Sequence, residues 1–112
     1  MEPSSFSTIC TKQCKQELIG FLLSLSLHHP DANTYVICDS DTKKCVDDLT
    51  PKLKLKIHWF VELDKYSNMN RNEMEKRGVW SDFQMAKADV IEKALINEED
   101  TLFLDSDIII LD

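Results

Sequence analysis

The chain has 112 residues, 43% hydrophobic and 29% charged, a balance that suits one modest core inside a solvated surface, hence a single domain. Twenty acidic against 13 basic residues give a net charge of −7, which excludes a general nucleic-acid-binding surface. An anionic nucleotide remains compatible with that charge if a cation bridges the two.

Met1-Glu2-Pro3-Ser4-Ser5 lacks the basic-then-apolar order of a secretory signal. The longest apolar stretch, Leu18 to Leu27, is too short to span a bilayer. A cytoplasmic protein without a transmembrane segment is therefore expected. Cys10, Cys14, Cys38 and Cys45 do not have the C-x-x-C spacing of common zinc pairs. Reduced, partly buried thiols are the simplest state for them, and Cys10 and Cys38 cluster if they end adjacent strands.

Phe6-Ser7-Thr8-Ile9-Cys10-Thr11 is rich in β-formers and predicts a first strand. From about Lys12 to His28 the period changes. Leu18, Phe21, Leu22 and Leu25 recur at three and four residues, with Ile19 and Leu23 widening the stripe, and His28-His29-Pro30 ends the helix. Asp31-Ala32-Asn33 reads as a turn, and Thr34-Tyr35-Val36-Ile37-Cys38 as a second strand. Asp39-Ser40-Asp41 offers a cap for a short helix through Val46 and Leu49, closed by Pro51.

Leu53 to Val61 alternates almost strictly, with Leu53, Leu55, Ile57, Trp59 and Val61 on one face and lysines on the other. That pattern predicts a half-exposed third strand at a sheet edge, with His58 on its solvated face. Asp64 to Arg77 is polar and predicts irregular chain or a short helix, broken by Gly78. Ser81-Asp82-Phe83-Gln84 has the form of a capping box opening a helix to Asn97, with Phe83, Ala86, Val90 and Ala94 in helical spacing. The order β-α-β-α-β-loop-α-β predicts an α/β fold. Its sheet is mostly parallel, doubly wound and Rossmann-like, with about four strands, helices on both faces and the order 3-2-1-4.

The last element carries the chemistry. In Thr101-Leu102-Phe103-Leu104-Asp105-Ser106-Asp107-Ile108-Ile109-Ile110-Leu111, two carboxylates sit one residue apart between two short apolar, strand-like runs. Isolated D-x-D triplets mostly terminate strands or make turns. At the carboxyl end of a buried strand, however, they deliver two acidic oxygens to the place where open α/β sheets bind ligands. A divalent cation relieves the repulsion between such carboxylates, and hard oxygen ligands suit Mg2+ or Mn2+. The predicted strand order puts this motif beside the ends of strands one and two, near Thr11 and Asp39.

Phe103-Leu104-Asp105-Ser106-Asp107-Ile108, behind the Ser81–Asn97 helix with its Lys87, resembles the D-x-D region of glycosyltransferases with the GT-A fold, the nucleotide-diphospho-sugar transferases. The order of elements matches over nearly the whole chain; the D-x-D is its one recognisable short motif. The resemblance implies a nucleotide sugar as donor, such as a uridine diphosphate sugar, for transfer to an unknown acceptor. It implies Asp105 and Asp107 on a Mn2+ or Mg2+ ion bridging the diphosphate, with Asp105 also near the ribose. It further implies Thr11 and Lys12 beside the nucleotide, Asp39 towards the base, Lys87 at phosphate or ribose, and Trp80 as a wall.

Family members continue well beyond the motif, whereas this chain ends five residues after Asp107. The acceptor site and catalytic residues are thus expected beyond Asp112, and the 112 residues are expected to be inactive alone. The fourth strand would present an unpaired edge, a route to self-association. Two other readings share the motif. A haloacid-dehalogenase-type phosphatase would use Asp105 as nucleophile, but its motif belongs to a first strand and has Thr or Val where Ile109 stands. A non-catalytic nucleotide-binding or structural fragment would pair with another chain.

Overall fold

A computed structural model describes residues 3–108 and 110. Its sheet has four parallel strands in the order β3-β2-β1-β4, the order expected: β1 (Ser5–Cys10), β2 (Ala32–Cys38), β3 (Leu55–Val61) and β4 (Leu102–Phe103). The helices are α1 (Lys15–His28), α2 (Ser40–Val46), α3 (Arg71–Lys76) and α4 (Trp80–Asn97). None is long and apolar enough to cross a membrane, among the described residues.

The two faces of the sheet carry separate cores because β1 and β2 alternate between them. On one face Phe6 and Cys10 pack with the α1 stripe Leu18, Phe21, Leu22 and Leu25 and with Val46 of α2. On the other, Ile9, Tyr35 and Ile37 pack with Ala86, Val90 and Ala94 of α4 and with Leu63, Tyr66 and Met74. Helices on both faces make the sheet doubly wound. The β1-α1-β2 and β3-α4-β4 crossovers lie on opposite faces of the sheet, and a crevice lies between the carboxyl ends of the neighbouring strands β1 and β4.

Several local expectations are corrected. The segment after β1 opens as a 3-10 turn at Lys12–Cys14 before the α-helix begins at Lys15. Pro30 and Asp31 make the turn, closed by Ala32 N–H on the His29 carbonyl at 3.2 Å with Asp31 at φ of 67°, and Ala32 already belongs to β2. Pro51 sits inside a 3-10 turn at Thr50–Lys52; α2 has ended at Val46. The polar stretch does hold the short helix expected of it, α3, after a 3-10 turn at Asp64–Tyr66.

The capping box does not form. The helix starts one residue early, with Val79 in the cap position and no side-chain cap bond, since Phe83 N–H already reaches the Val79 carbonyl. The fourth strand is two residues long rather than four, and Asp105 to Asp107 lie in a turn closed by Ile108 N–H on the Asp105 carbonyl at 3.1 Å. The apolar run after the motif is not a continuation of the sheet where it is described. Ile110 N–H donates to Ser24 Oγ of α1 at 2.9 Å, and its side chain packs on the α1 core; Ile109 and Leu111 lie outside the described residues.

Gly78 joins α3 to α4 with φ of 73° and open space around the position a Cβ would take. Gly78→Ala is therefore a backbone test free of clashes, and it is expected to cost about 1 kcal/mol in urea denaturation. An unchanged midpoint would mean that the left-handed turn is not needed to join the helices.

Candidate functional site at the β1–β4 crevice

The carboxyl end of the sheet is built around one buried carboxylate. Asp39 follows β2 and is fully buried, and three groups donate to it: Thr42 N–H at 3.0 Å, Lys12 N–H at 3.0 Å and Ser67 Oγ at 2.5 Å. The first bond caps α2, as the sequence suggests; the other two tie the turn after β1 and the loop after β3 to the end of β2. Burial pushes the carboxyl up, but the bonds from Ser67, Thr42 and Lys12 outweigh it, so the group stays below its ordinary range. Asp64 adds a second tie, accepting from Ser40 N–H at 2.7 Å and Ser40 Oγ at 2.8 Å. Asp39 is thus engaged inside the protein, with little capacity left towards a ligand base.

Between β1 and β4 lies an open cavity of about 260 Å³. Thr11 and Cys14 line it from the end of β1, Trp80, Phe83, Gln84 and Lys87 from α4, and Asp105, Ser106 and Asp107 from the turn after β4. Five of the seven candidate residues of the sequence therefore meet here: Thr11, Trp80, Lys87, Asp105 and Asp107. Lys12 and Asp39 do not line it. The Lys12 side chain turns towards α2 and pairs with Asp41 at 3.5 Å, while its backbone serves Asp39.

The D-x-D geometry follows from its central residue. Ser106 is buried against Cys10, so the flanking carboxylates of Asp105 and Asp107 both stay exposed. Lys87 Nζ stands 3.7 Å from Asp105 Oδ1 and 5.9 Å from the centre of the Phe103 ring. Such a half-exposed pair contributes at most about 1 kcal/mol, so Lys87 is free to exchange partners. One wall is aromatic: Trp80 stacks on Phe83 at 5.7 Å, Phe83 meets Tyr66 edge-on at 5.2 Å, and the Arg71 guanidinium lies 4.8 Å above Trp80.

Cys14, Glu17 and Gln84 also line the cavity, though no sequence motif assigns them a ligand-binding role. Gln84 is legible in principle, standing three residues before Lys87 on one helix. Ser67 gives no signal; its partner Asp39 is 28 residues away. The cysteines are free, and Cys10 and Cys38 are register partners on β1 and β2. Burial and then Asp39 push the Cys38 thiol up to about 12, while burial and then Cys14 raise Cys10. Cys14 is raised by burial, then by the charges of Glu17 and Asp107. All three stay protonated near neutrality, which makes them poor nucleophiles.

Fold and crevice together define a doubly wound α/β domain with a carboxylate-bearing cavity at its switch point. Compared with family models, with curated proteins and with solved structures, the chain matches none. Among the described residues no group of three or more His, Cys, Asp or Glu side chains is arranged to hold a metal ion. The donor set at the cavity is thus two exposed carboxylates. That does not make a closed protein cage, but it fits Mg2+ or Mn2+ held by one or two carboxylates, with water and phosphate completing the shell.

Proposed function

We propose that this chain is the donor-binding half of a metal-dependent glycosyltransferase, binding a nucleoside-diphosphate sugar, such as a uridine diphosphate sugar, through Mn2+ or Mg2+. The observation that supports it most is the meeting of Asp105, Asp107, Lys87 and Thr11 around one cavity at the β1–β4 switch point. Asp105 and Asp107 would share the cation, which when bound neutralises charge on the departing diphosphate. Lys87 leaves Asp105 for a phosphate oxygen, a change that costs little because the existing pair is long and half-exposed. Trp80 and Phe83 supply an apolar wall, and the Thr11 turn, held through Lys12 N–H by Asp39, fixes the opposite side. Asp39 acts in this reading through the backbone it holds rather than by contacting the base.

Calorimetry of the chain with a uridine diphosphate sugar, with and without Mn2+, tests the proposal. Binding is expected only with the metal, and Asp105→Ala and Asp107→Ala are each expected to weaken it more than tenfold, a loss above about 1.4 kcal/mol. Lys87→Ala is expected to weaken it about three- to tenfold with the melting temperature little changed. Metal-independent binding, or none at millimolar ligand, would overturn it.

A further inference from the structure

The longer free edge of the sheet is not β4 but β3. β3 runs seven residues and pairs only with β2, with no strand on its outer side among the described residues. Which of its backbone groups point outward follows from two bonds on the inner side: Glu62 N–H donates to the Cys38 carbonyl, and the Lys54 carbonyl accepts from Asp31 N–H. Even-numbered residues thus turn their peptide groups towards β2, and alternation sends those of Leu55, Ile57, Trp59 and Val61 outward.

The side chains alternate too. Lys54, Lys56, His58, Phe60 and Glu62 share one face, basic at its start and acidic at its end. Helix α4 packs over β1 and β2, so Lys54, Lys56 and His58 remain exposed. At the far end Val61 is 45% exposed, high for an apolar strand residue.

We propose that β3 pairs with β3 of a second copy of this chain, antiparallel about a two-fold axis through His58. This register uses the full strand: Leu55 stands opposite Val61, and Ile57 opposite Trp59, each pair exchanging the outward backbone bonds. On the exposed face it sets Lys54 opposite Glu62 and Lys56 opposite Phe60, and symmetry repeats both contacts. The charge gradient along β3 becomes self-complementary only when the strands run in opposite directions. Parallel pairing in register would set Lys54 on Lys54, Lys56 on Lys56 and Glu62 on Glu62, and like charges directly opposite are destabilising. Edge lysines often discourage pairing. Here each Lys54 meets a carboxylate instead, so the same device selects one partner and one register. A two-fold contact of this kind closes on itself and does not propagate into fibres.

The Glu62 carboxylate already has Lys93 at 3.5 Å, at a half-exposed position that leaves an oxygen for the second copy's lysine. The pairing also covers Val61 with Leu55 across the axis. It leaves the β1–β4 crevice open on the opposite side of the sheet order, so it stands independently of the donor-site reading.

Sedimentation of the chain over a range of concentrations tests it, together with a charge swap. The wild type is expected to dimerise; Lys54→Glu is expected to raise the dissociation constant about tenfold, and Lys54→Glu combined with Glu62→Lys to restore it. In a Cys14→Ser, Cys45→Ser background, His58→Cys is expected to cross-link to itself under mild oxidation. Residues opposed at a non-hydrogen-bonded antiparallel position have Cα atoms about 4.5 Å apart, within disulfide range. Lys54→Cys in the same background is expected not to self-link. A chain monomeric at about 100 μM, far above the micromolar range of useful association, would overturn the proposal. So would a dimer indifferent to the charge swap, or equal self-linking at positions 54 and 58.

Discussion

Replacing Asp39 with alanine is expected to destabilise the protein by about 2–4 kcal/mol and to loosen the cavity at the same time. The substitution leaves Thr42 N–H, Lys12 N–H and Ser67 Oγ without their common acceptor in a fully buried setting. Each orphaned buried donor costs on the order of 1–3 kcal/mol, partly recovered where water enters. An asparagine side chain keeps one acceptor oxygen but turns an amide towards donors, so Asp39→Asn is expected to recover only part of the loss. Urea denaturation measures both. A loss below about 0.5 kcal/mol for the alanine variant would show that the three loops are held by something else.

The same carboxylate sets a pH dependence of definite sign. Its folded pKa lies below the ordinary carboxylate value, 3.8. The stability it contributes is therefore present above that unfolded value and lost as pH falls through the folded one. The wild type is expected to weaken below about pH 4 more steeply than Asp39→Asn, whose side chain cannot titrate. Parallel acid limbs for the two would remove Asp39 as the cause. Because Lys12 N–H is one of the donors, the alanine variant is also expected to weaken ligand binding at the β1–β4 cavity through the displaced Thr11 turn.

This site shows where sequence pattern carries information and where it does not. A period of two locates β3 and periods of three to four locate α1 and α4, since those periods reflect which side chains reach a core, while β1 and β2 show only as runs of β-formers. The strand order follows from the alternation of elements and from the lysine face of β3. Asp105 and Asp107 are visible because two carboxylates between apolar runs are locally unusual. The role of Asp39 is half visible: its cap on α2 is local, three residues away, whereas its hold on Lys12 and Ser67 spans 27 and 28 residues. The expected length of β4 is too great because apolar character alone cannot distinguish a strand from a chain that leaves the sheet. After Phe103 the Leu104 and Ile110 side chains satisfy their hydrophobicity against the α1 core instead. Likewise, the Ser81–Gln84 capping box matches in letters but loses to a helix that has already begun at Trp80.

Phe21→Ala is expected to have the largest effect of any single truncation, about 3–5 kcal/mol. Domains of this size have only about 5–15 kcal/mol to lose, so the variant should be largely unfolded at modest urea. The reason lies in the asymmetry of the two cores. On the α1 face Leu18, Phe21, Leu22 and Leu25 are all fully buried, four large side chains on one helix against β1 and β2. On the other face α4 itself contributes only Ala86, Val90 and Ala94 to the buried core, small groups that bring the helix close to the sheet but remove less apolar area from water. Val90→Ala, also at a fully buried position, is accordingly expected to cost only about 1–2.5 kcal/mol. If the two variants were equally destabilised in denaturant titrations, stability would not be concentrated on the α1 face. The asymmetry bears on function because α4, which carries Trp80, Gln84 and Lys87 to the cavity, meets the sheet through small buried side chains. If Val90→Ala costs less than Phe21→Ala as expected, the helix that presents the proposed ligand contacts is the one displaced more cheaply.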